Sequence, residues 1–170
     1  MKGDLRALEE KKKKVIVRVD FNVPLSKDFQ VTDDTRLRGA LPTIEYLVEK
    51  GAKIILVSHF GRPLAKLLPD GEIDRNKFSL RHVVPALSAL LGKEVAFFPD
   101  CVGEAVLQKT NELGSGDILL LENTRFHAGE EKGDPAMAAQ LASLGDIYIN
   151  DAFGAAHRAH ASTTVVANHF

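Results

Sequence analysis

The chain has 170 residues, of which 45% are apolar, and this is the size and composition of one ordinary globular domain. It carries 22 Lys and Arg against 23 Asp and Glu, so the net charge of -1 gives no basic field that would attract nucleic acid or a membrane. No segment resembles a membrane-spanning helix, and a single cysteine excludes an internal disulfide framework. We therefore expect one soluble, cytoplasmic domain over residues 1–170, in which any anion site is local.

Short β-branched segments alternate along the chain with longer segments of helical pattern. In chain order the pattern predicts strands over residues 15–20, 53–58, 95–98, 117–123 and 146–151, and helices over residues 36–49, 80–91, 102–113 and 135–144. A glycine follows each helical pattern, and Asp134 with Pro135 is typical of a helix start. Strands that are apolar throughout indicate a parallel sheet covered on both faces. The predicted fold is therefore α/β, a doubly wound parallel sheet flanked by helices in a Rossmann-like three-layer sandwich.

Basic and polar side chains follow four of the five predicted strands. They are Asp20 and Asn22 after the first strand, His59 and Arg62 after the second, Arg125 and His127 after the fourth, and His157, Arg158 and His160 after the fifth, with Arg18 in the first strand and Arg36 at the start of the first helix. Ligands of open α/β sheets bind outside the carboxyl ends of the strands. Guanidinium groups bind phosphate or carboxylate oxygens in pairs, and Asp20 and Asn22 suit a hydroxyl group. The pattern predicts a site for a small phosphorylated hydroxy acid.

Five motifs in order also resemble one known family. RVDFNVP, DDTRLRGALPTI, SHFGRP, LLLENTRFHAGEE and YINDAFGAAHRAHAS, from about residue 15 to residue 163, are similar to the N-terminal domain of phosphoglycerate kinases. The resemblance implies a glycolytic phosphotransferase that moves a phosphoryl group reversibly between 1,3-bisphosphoglycerate with ADP and 3-phosphoglycerate with ATP. It also implies that this half binds the glycerate, while the family's C-terminal domain binds the magnesium nucleotide.

The resemblance assigns roles to individual positions. It implies that Asp20 and Asn22, with His59 beside them, contact the hydroxyl and carboxylate end of the substrate. Arg62, Arg125 and Arg158 match the arginines that hold the substrate phosphate. Arg36 matches the catalytic arginine near the transferring phosphoryl group. A further set, Arg18, His157 and His160, matches a surrounding basic patch that supports the site.

The same comparison indicates what this chain is not expected to do. Neither GxxxxGK[ST] nor GxGxxG follows a strand, so Mg-ATP or Mg-ADP is not expected on this chain, and neither is a metal site. We expect the chain to correspond to the substrate-binding domain without the C-terminal domain, to bind 3-phosphoglycerate weakly and to be inactive alone. Apolar surface left uncovered would favour self-association, although the full-length family is usually monomeric. No role for the loop over residues 63–78 follows from its sequence.

Three alternatives compete with these interpretations. His157 and His160 could ligate zinc with Asp151 and His127, although Arg158 between them disfavours a cation. The arginines could instead form structural salt bridges; the candidate partners are Asp33, Asp34, Glu130 and Glu131. The chain could also be a stand-alone module that binds small phosphorylated anions. A nucleic-acid-binding protein is disfavoured by the pI of about 6.6 and by motifs that lack exposed aromatic residues beside the arginines.

Overall fold

The sheet has five parallel strands in the part of the chain that the structure, a computed structural model, describes: residues 13–151 and residue 170. The strands are β1 (Lys14–Arg18), β2 (Lys53–Val57), β3 (Ala96–Phe98), β4 (Ile118–Leu121) and β5 (Ile147–Asn150). Their order across the sheet is β3-β4-β2-β1-β5, and each neighbouring pair is parallel. The predicted parallel sheet is confirmed, and β1 lies between β2 and β5.

The helices occupy the connections between the strands. They are α1 (Thr35–Glu49), α2 (Val84–Leu91), α3 (Glu104–Asn111), α4 (Gly129–Lys132) and α5 (Pro135–Ala142), with shorter 3-10 turns at Pro63–Ala65, Leu80–Val83 and Thr124–Phe126. All four predicted helices are present. The segment predicted as a helix from residue 80 begins as a 3-10 turn and becomes α-helical at Val84. The four-residue α4 was not predicted.

Alternate residues of each strand enter two separate hydrophobic cores. Val15 and Val17 of β1 pack on one face of the sheet with buried residues of α1 and α2. Ile16, between them, packs on the other face with residues of α3 and α5. Because both faces are covered, the strands are apolar throughout, which is the pattern that the sequence shows. The three-layer sandwich is confirmed.

Local polar contacts explain where two of the helices begin. Asp134 Oδ1 accepts a hydrogen bond from the Ala136 N–H at 3.0 Å, with Pro135 as the first residue of α5. At the start of α1, Asp33 Oδ1 accepts from both the N–H and the hydroxyl of Thr35, at 2.9 and 2.6 Å. These two bonds to Asp33 fix the first turn of α1, the helix that carries Arg36.

Large apolar side chains remain exposed at several described positions, namely Tyr46, Leu64, Leu67, Leu68 and Phe170. Three of these leucines lie in the loop over residues 63–78. Self-association of the chain stays a prediction. Among the described residues, none of the helices combines the length and the apolar character that a bilayer crossing needs.

Candidate functional site

The carboxyl ends of three adjacent strands carry most of the residues that the sequence predicted for the site. Asp20 and Asn22 follow β1, His59 and Arg62 follow β2, and Arg125 lies in the 3-10 turn after β4. The three strands are neighbours in the order β4-β2-β1. Because they are parallel, the segments that follow them leave the sheet at the same edge.

Arg36 connects the start of α1 to the segment after β1. Its Nη1 donates to the Asn22 carbonyl at 2.5 Å and to Asp20 Oδ1 at 3.4 Å. Asp20 Oδ1 also accepts from the Asn22 N–H at 3.1 Å. The Arg36 side chain is 51% exposed and that of Asp20 is 32% exposed, so both groups remain open to a ligand. The contacts hold the guanidinium in place without covering it.

Gly61 joins this cluster to the segment after β4. Its N–H donates to Asn22 Oδ1 at 2.9 Å, and its carbonyl accepts from Arg125 Nη1 at 3.1 Å. Arg125 itself is almost buried, with 6% of its surface exposed. One glycine therefore fixes the Asn22 side chain and the Arg125 guanidinium relative to each other.

A cavity of about 300 Å³ opens beside Arg36 and Asn22. Its other lining residues are Val23, Pro24, Asp33 and Thr35. This is at the lower end of the volume range of small-molecule sites, which suits a ligand of a few carbon atoms. On the other side of Asn22, a more apolar cavity of about 280 Å³ reaches Gly61, Phe60 and Phe78.

Two other cavities are larger but lie away from these residues. A groove of about 800 Å³ runs past Phe29, Arg81 and His82. There Arg81 donates a hydrogen bond to the Asn76 side chain, and His82 stacks on Phe29 with ring centroids 4.5 Å apart. The other, of about 410 Å³, is lined by residues at the amino end of β4. Neither cavity is lined by any of the described residues that the sequence predicted for the site, so volume alone does not identify the anion site.

Arg18 and His59 lie beneath the exposed cluster. Arg18 is fully buried, its Nη2 lies 2.9 Å from His59 Nδ1, and its Nη1 donates to the Val19 carbonyl. Burial lowers the pKa of this guanidinium, and the neighbouring Glu130 opposes that shift. An arginine keeps its charge even so, because a guanidinium is effectively never deprotonated in proteins. Arg18 therefore supports the site from inside the protein and does not reach a ligand.

The remaining arginines differ in their surroundings. The side chain of Arg62, an exposed residue, makes neither a hydrogen bond nor an ion pair with the other described residues. Arg125 Nε lies 3.5 Å from Glu131 Oε1, so a structural ion pair is present at that position. Arg36 pairs with Asp20, whereas Asp34 pairs with Arg38 at 3.0 Å. The alternative that the arginines form structural salt bridges therefore holds in part for Arg125. It does not account for Arg62, whose guanidinium stays available to a ligand.

His157, Arg158 and His160 lie outside the described residues, so their place in the site stays a prediction. The segment that carries them follows β5, whose partner in the sheet is β1. Asp151, directly after β5, donates its N–H to the Arg18 carbonyl at 2.7 Å.

Sequence reasoning missed two residues that hold the site together. The fully buried Asn123 accepts from the N–H groups of Phe60 and Arg125, both at 3.0 Å, and its amide donates to the carbonyls of Phe60 and Phe78. Gly61 is the second. The available signal was the polar pair Glu122-Asn123 directly after four buried residues of β4. Glu122 is buried and accepts from the Ser79 hydroxyl at 2.7 Å.

The comparisons with known proteins agree with this geometry. The family model described as phosphoglycerate kinase matches residues 5–170 of the chain. The chain belongs to the phosphoglycerate kinase family. The resemblance seen in the five motifs is confirmed.

Individual phosphoglycerate kinases show how far the similarity extends. The chain is 57% identical over 158 residues to that of Coprothermobacter proteolyticus and 55% identical over 157 residues to that of Prochlorococcus marinus, covering 93% and 92% of its length. It superposes on the crystal structure of phosphoglycerate kinase from Pyrococcus horikoshii with a TM-score of 0.79 at 33% identity, covering 95% of this chain and 39% of that one. For the structure from Coxiella burnetii the TM-score is 0.78 at 34% identity, with 98% and 39% covered. The chain spans 38% and 37% of the two curated relatives.

Proposed function

We propose that this chain is the 3-phosphoglycerate-binding domain of a phosphoglycerate kinase, over residues 1–170. The observation that carries the proposal is the continuous set of contacts from Asp20 through Arg36, Asn22 and Gly61 to Arg125 at the carboxyl edge of the sheet. The chain belongs to the phosphoglycerate kinase family, and this membership suggests phosphoglycerate as the anion that these residues would bind.

In this proposal the guanidinium groups neutralise and orient the anion. The phosphate of 3-phosphoglycerate carries several oxygens, and Arg62, Arg125 and Arg158 would each bind them with paired N–H donors. Asp20 and Asn22, with His59 nearby, would contact the hydroxyl and carboxylate end. The described members of this set lie on segments that converge at one edge of the sheet.

Arg36 has a different task in the proposal. Phosphoryl transfer requires positioning and stabilisation of spread negative charge, with little covalent work for the protein. Arg36 is half-exposed beside the cavity and is held by Asp20 and the Asn22 carbonyl, so its guanidinium faces solvent in a fixed orientation. It would stabilise the charge on the transferring group, a contribution that can reach ~10³ in rate.

In this proposal the described residues of the site do not hold the magnesium ion of the nucleotide. Guanidinium groups dominate it, and they do not ligate cations. The described group of three candidate metal ligands is Asp100, Cys101 and His127, and Mg²⁺ prefers oxygen ligands to thiol and imidazole. We therefore propose that the nucleotide is bound elsewhere in a complete phosphoglycerate kinase, and that this chain alone does not turn over substrate.

Calorimetric titration of 3-phosphoglycerate into the chain at low ionic strength tests the proposal. We expect saturable, weak binding that is weakened further by added salt. Arg62→Ala should weaken it about tenfold or more, because a charge-assisted hydrogen bond contributes roughly 1.5–3 kcal/mol. The Arg62 side chain has no polar partner among the described residues, so truncating it breaks no hydrogen bond or ion pair shown there. Arg158→Ala should act in the same direction.

Arg38→Ala is the matched control, since it removes the same charge from the exposed face of α1, where Arg38 pairs only with Asp34 in the described residues. Its affinity should stay within about twofold of the parent, as expected for a screened surface charge. A folded parent that gives no heat, or an Arg38→Ala loss equal to that of Arg62→Ala, would contradict the proposed site.

A further inference from the structure

A second cluster of reactive side chains lies at the carboxyl edge of the sheet, beside the anion site but not part of it. Asp100 and Cys101 follow β3, and His127 follows the 3-10 turn after β4. Because β3 and β4 pair in parallel with Phe98 opposite Leu121, the two segments leave the sheet side by side. One possible ligand atom from each of the three residues lies within 4.8 Å of the others.

The cluster combines a shared hydrogen bond with an adjacent thiol. His127 Nε2 lies 2.8 Å from Asp100 Oδ1, and the same oxygen accepts from the Cys101 N–H at 2.7 Å. The His127 and Asp100 side chains are 36% and 47% exposed, whereas Cys101 is fully buried. An ion could therefore approach from solvent past the imidazole and the carboxylate and meet the thiol behind them.

An ordinary ion pair accounts for His127 and Asp100, and packing in the hydrophobic core on this face of the sheet places the Cys101 side chain next to them. Burial raises the pKa of Cys101 well above its usual range, and the carboxylates of Asp100, Glu130 and Glu122 raise it further. The sulfur thus lies in a negative electrostatic environment that opposes a bare thiolate. A bound cation would reverse that effect, because a coordinated thiol loses its proton.

We propose that Asp100, Cys101 and His127 form a binding site for a borderline-soft divalent cation, with Zn²⁺ as the ion whose ligand preferences fit best. Thiolate, imidazole and carboxylate are the three ligand types that zinc uses, with a fourth position left to water. Metal–ligand lengths of about 2.0–2.3 Å place tetrahedral ligands about 3.5 Å apart. The candidate ligand atoms lie within 4.8 Å of one another, and His127 Nε2 and Asp100 Oδ1 are 2.8 Å apart, so the proposal requires side-chain adjustments that bring all three atoms to that spacing.

Binding exchanges a proton for the metal ion. The Cys101 S–H bond breaks, its proton passes to solvent, and the sulfur lone pair forms the bond to Zn²⁺. The proton on His127 Nε2 moves to Nδ1, or to solvent if the ring is charged, so that Nε2 gives its lone pair to the ion in place of the hydrogen bond, and Asp100 gives a carboxylate oxygen. Since a proton is released, affinity rises with pH through the neutral range. His127 is two residues from Arg125, so the ion would also fix the segment that carries that arginine.

Titration with Zn²⁺ and, separately, with Co²⁺ tests the site in the chain as it stands. Zn²⁺ should bind with release of protons that scales with buffer ionisation in calorimetry. Co²⁺ should give a sulfur-to-metal charge-transfer band in the near ultraviolet and the visible bands of a tetrahedral ion. Cys101→Ser should abolish the charge-transfer band, and His127→Gln and Asp100→Asn should each lower Zn²⁺ affinity by about tenfold or more.

Two controls separate this site from other histidines. His82→Gln removes a ring that stacks on Phe29, and the double variant His157→Gln/His160→Gln removes the HxxH pair. The proposal is supported if the Zn²⁺ affinity of both control variants stays within about twofold of that of the parent. A parent Co²⁺ complex without the sulfur band, which needs no variant to fold, would overturn it. Loss of binding in the double variant, with binding retained in His127→Gln, would also overturn it.

Discussion

Gly61 is the residue through which the two sides of the candidate anion site are connected. Its N–H donates to Asn22 and its carbonyl accepts from Arg125. Its φ is +60°, a left-handed conformation that side chains other than glycine adopt at a cost. A Cβ added there would lie 2.8 Å from two ring atoms of Phe78. Both the backbone conformation and the space therefore require glycine.

Replacing this glycine should destabilise the fold. We expect Gly61→Ala to lower the free energy of unfolding by about 1–3 kcal/mol, because it combines left-handed strain with a contact that Phe78 must relieve. Urea denaturation followed by circular dichroism measures the change. Gly39→Ala is the control, since Gly39 lies inside α1 and an added Cβ meets nothing within 4 Å. That variant should gain about 0.5–1 kcal/mol. Equal losses in both variants would show that the Gly61 backbone is not constrained.

The sequence predicts some residues of the site better than others. Asp20, Asn22, His59, Arg62 and Arg125 could be predicted because each follows an apolar strand, and parallel strands end at one edge. The contacts of Gly61 and Asn123 could not, since they join segments 39 to 64 residues apart. Such contacts depend on which strands are neighbours. The depth of Arg18 was also missed, because a charged residue at a strand end is usually exposed.

At the scale of elements, the connection from α5 to β5 passes unusually close to β1. Gly145 lies in that connection, and an added Cβ would be 2.6 Å from Ile16 Cγ1 and 3.2 Å from the Lys14 carbonyl. The Lys14 carbonyl also accepts from the Asp146 N–H at 2.7 Å. The sequence identified Gly145 only as a helix stop. Its close approach to β1 is a second reason for glycine.

This close approach can be tested with a double-mutant cycle. Gly145→Ala should lower the free energy of unfolding by about 1–3 kcal/mol, the usual cost of overpacking a core. Ile16→Ala removes the atom that the new methyl group would meet, so Gly145→Ala should cost clearly less in that background. Thermal and urea unfolding of the four proteins provide the cycle. The same cost in both backgrounds would mean that Ile16 does not limit the approach.

The boundaries of the elements were predicted within a few residues, and the differences have physical reasons. β4 ends at Leu121, two residues before the predicted strand end, because Glu122 and Asn123 turn inward to bond Ser79, Leu80 and Phe60. The helix α4 has four residues, GEEK, which is too short for an apolar repeat to appear. Short elements of this kind are set by their surroundings.

At the scale of the whole molecule, the strand order was not predictable from the pattern. Consecutive strands are often neighbours, yet β4 lies between β3 and β2, and β5 joins the opposite side of β1. Every strand of a doubly covered sheet is apolar on both faces, so composition does not mark its neighbours. The layers follow from the sequence, whereas the order follows from how the helices pack in three dimensions.

The stability of the molecule should carry a pH dependence from Asp151, the residue directly after β5. Burial raises the pKa of this carboxyl, and a hydrogen bond with the Thr43 side chain lowers it in part. A folded-state pKa above the unfolded value of about 3.9 means that the folded chain binds the proton more tightly. The contribution to stability is therefore full below the unfolded pKa and is lost as pH rises through the folded pKa.

Asp151→Asn removes this charge while keeping an oxygen that can accept from Thr43. We expect the variant to have a higher free energy of unfolding than the parent at pH 7, because no ionised group is then held in a partly buried position. The difference should shrink as the pH is lowered toward the unfolded pKa, where the parent carboxyl is protonated in both states. Urea unfolding at several pH values gives the curve, with Asp28→Asn at an exposed position as the control. The opposite result would be a parent that is more stable than Asp151→Asn at pH 7 and loses this advantage on acidification. It would mean that the folded chain stabilises the charged form of the carboxylate, and it would contradict the prediction.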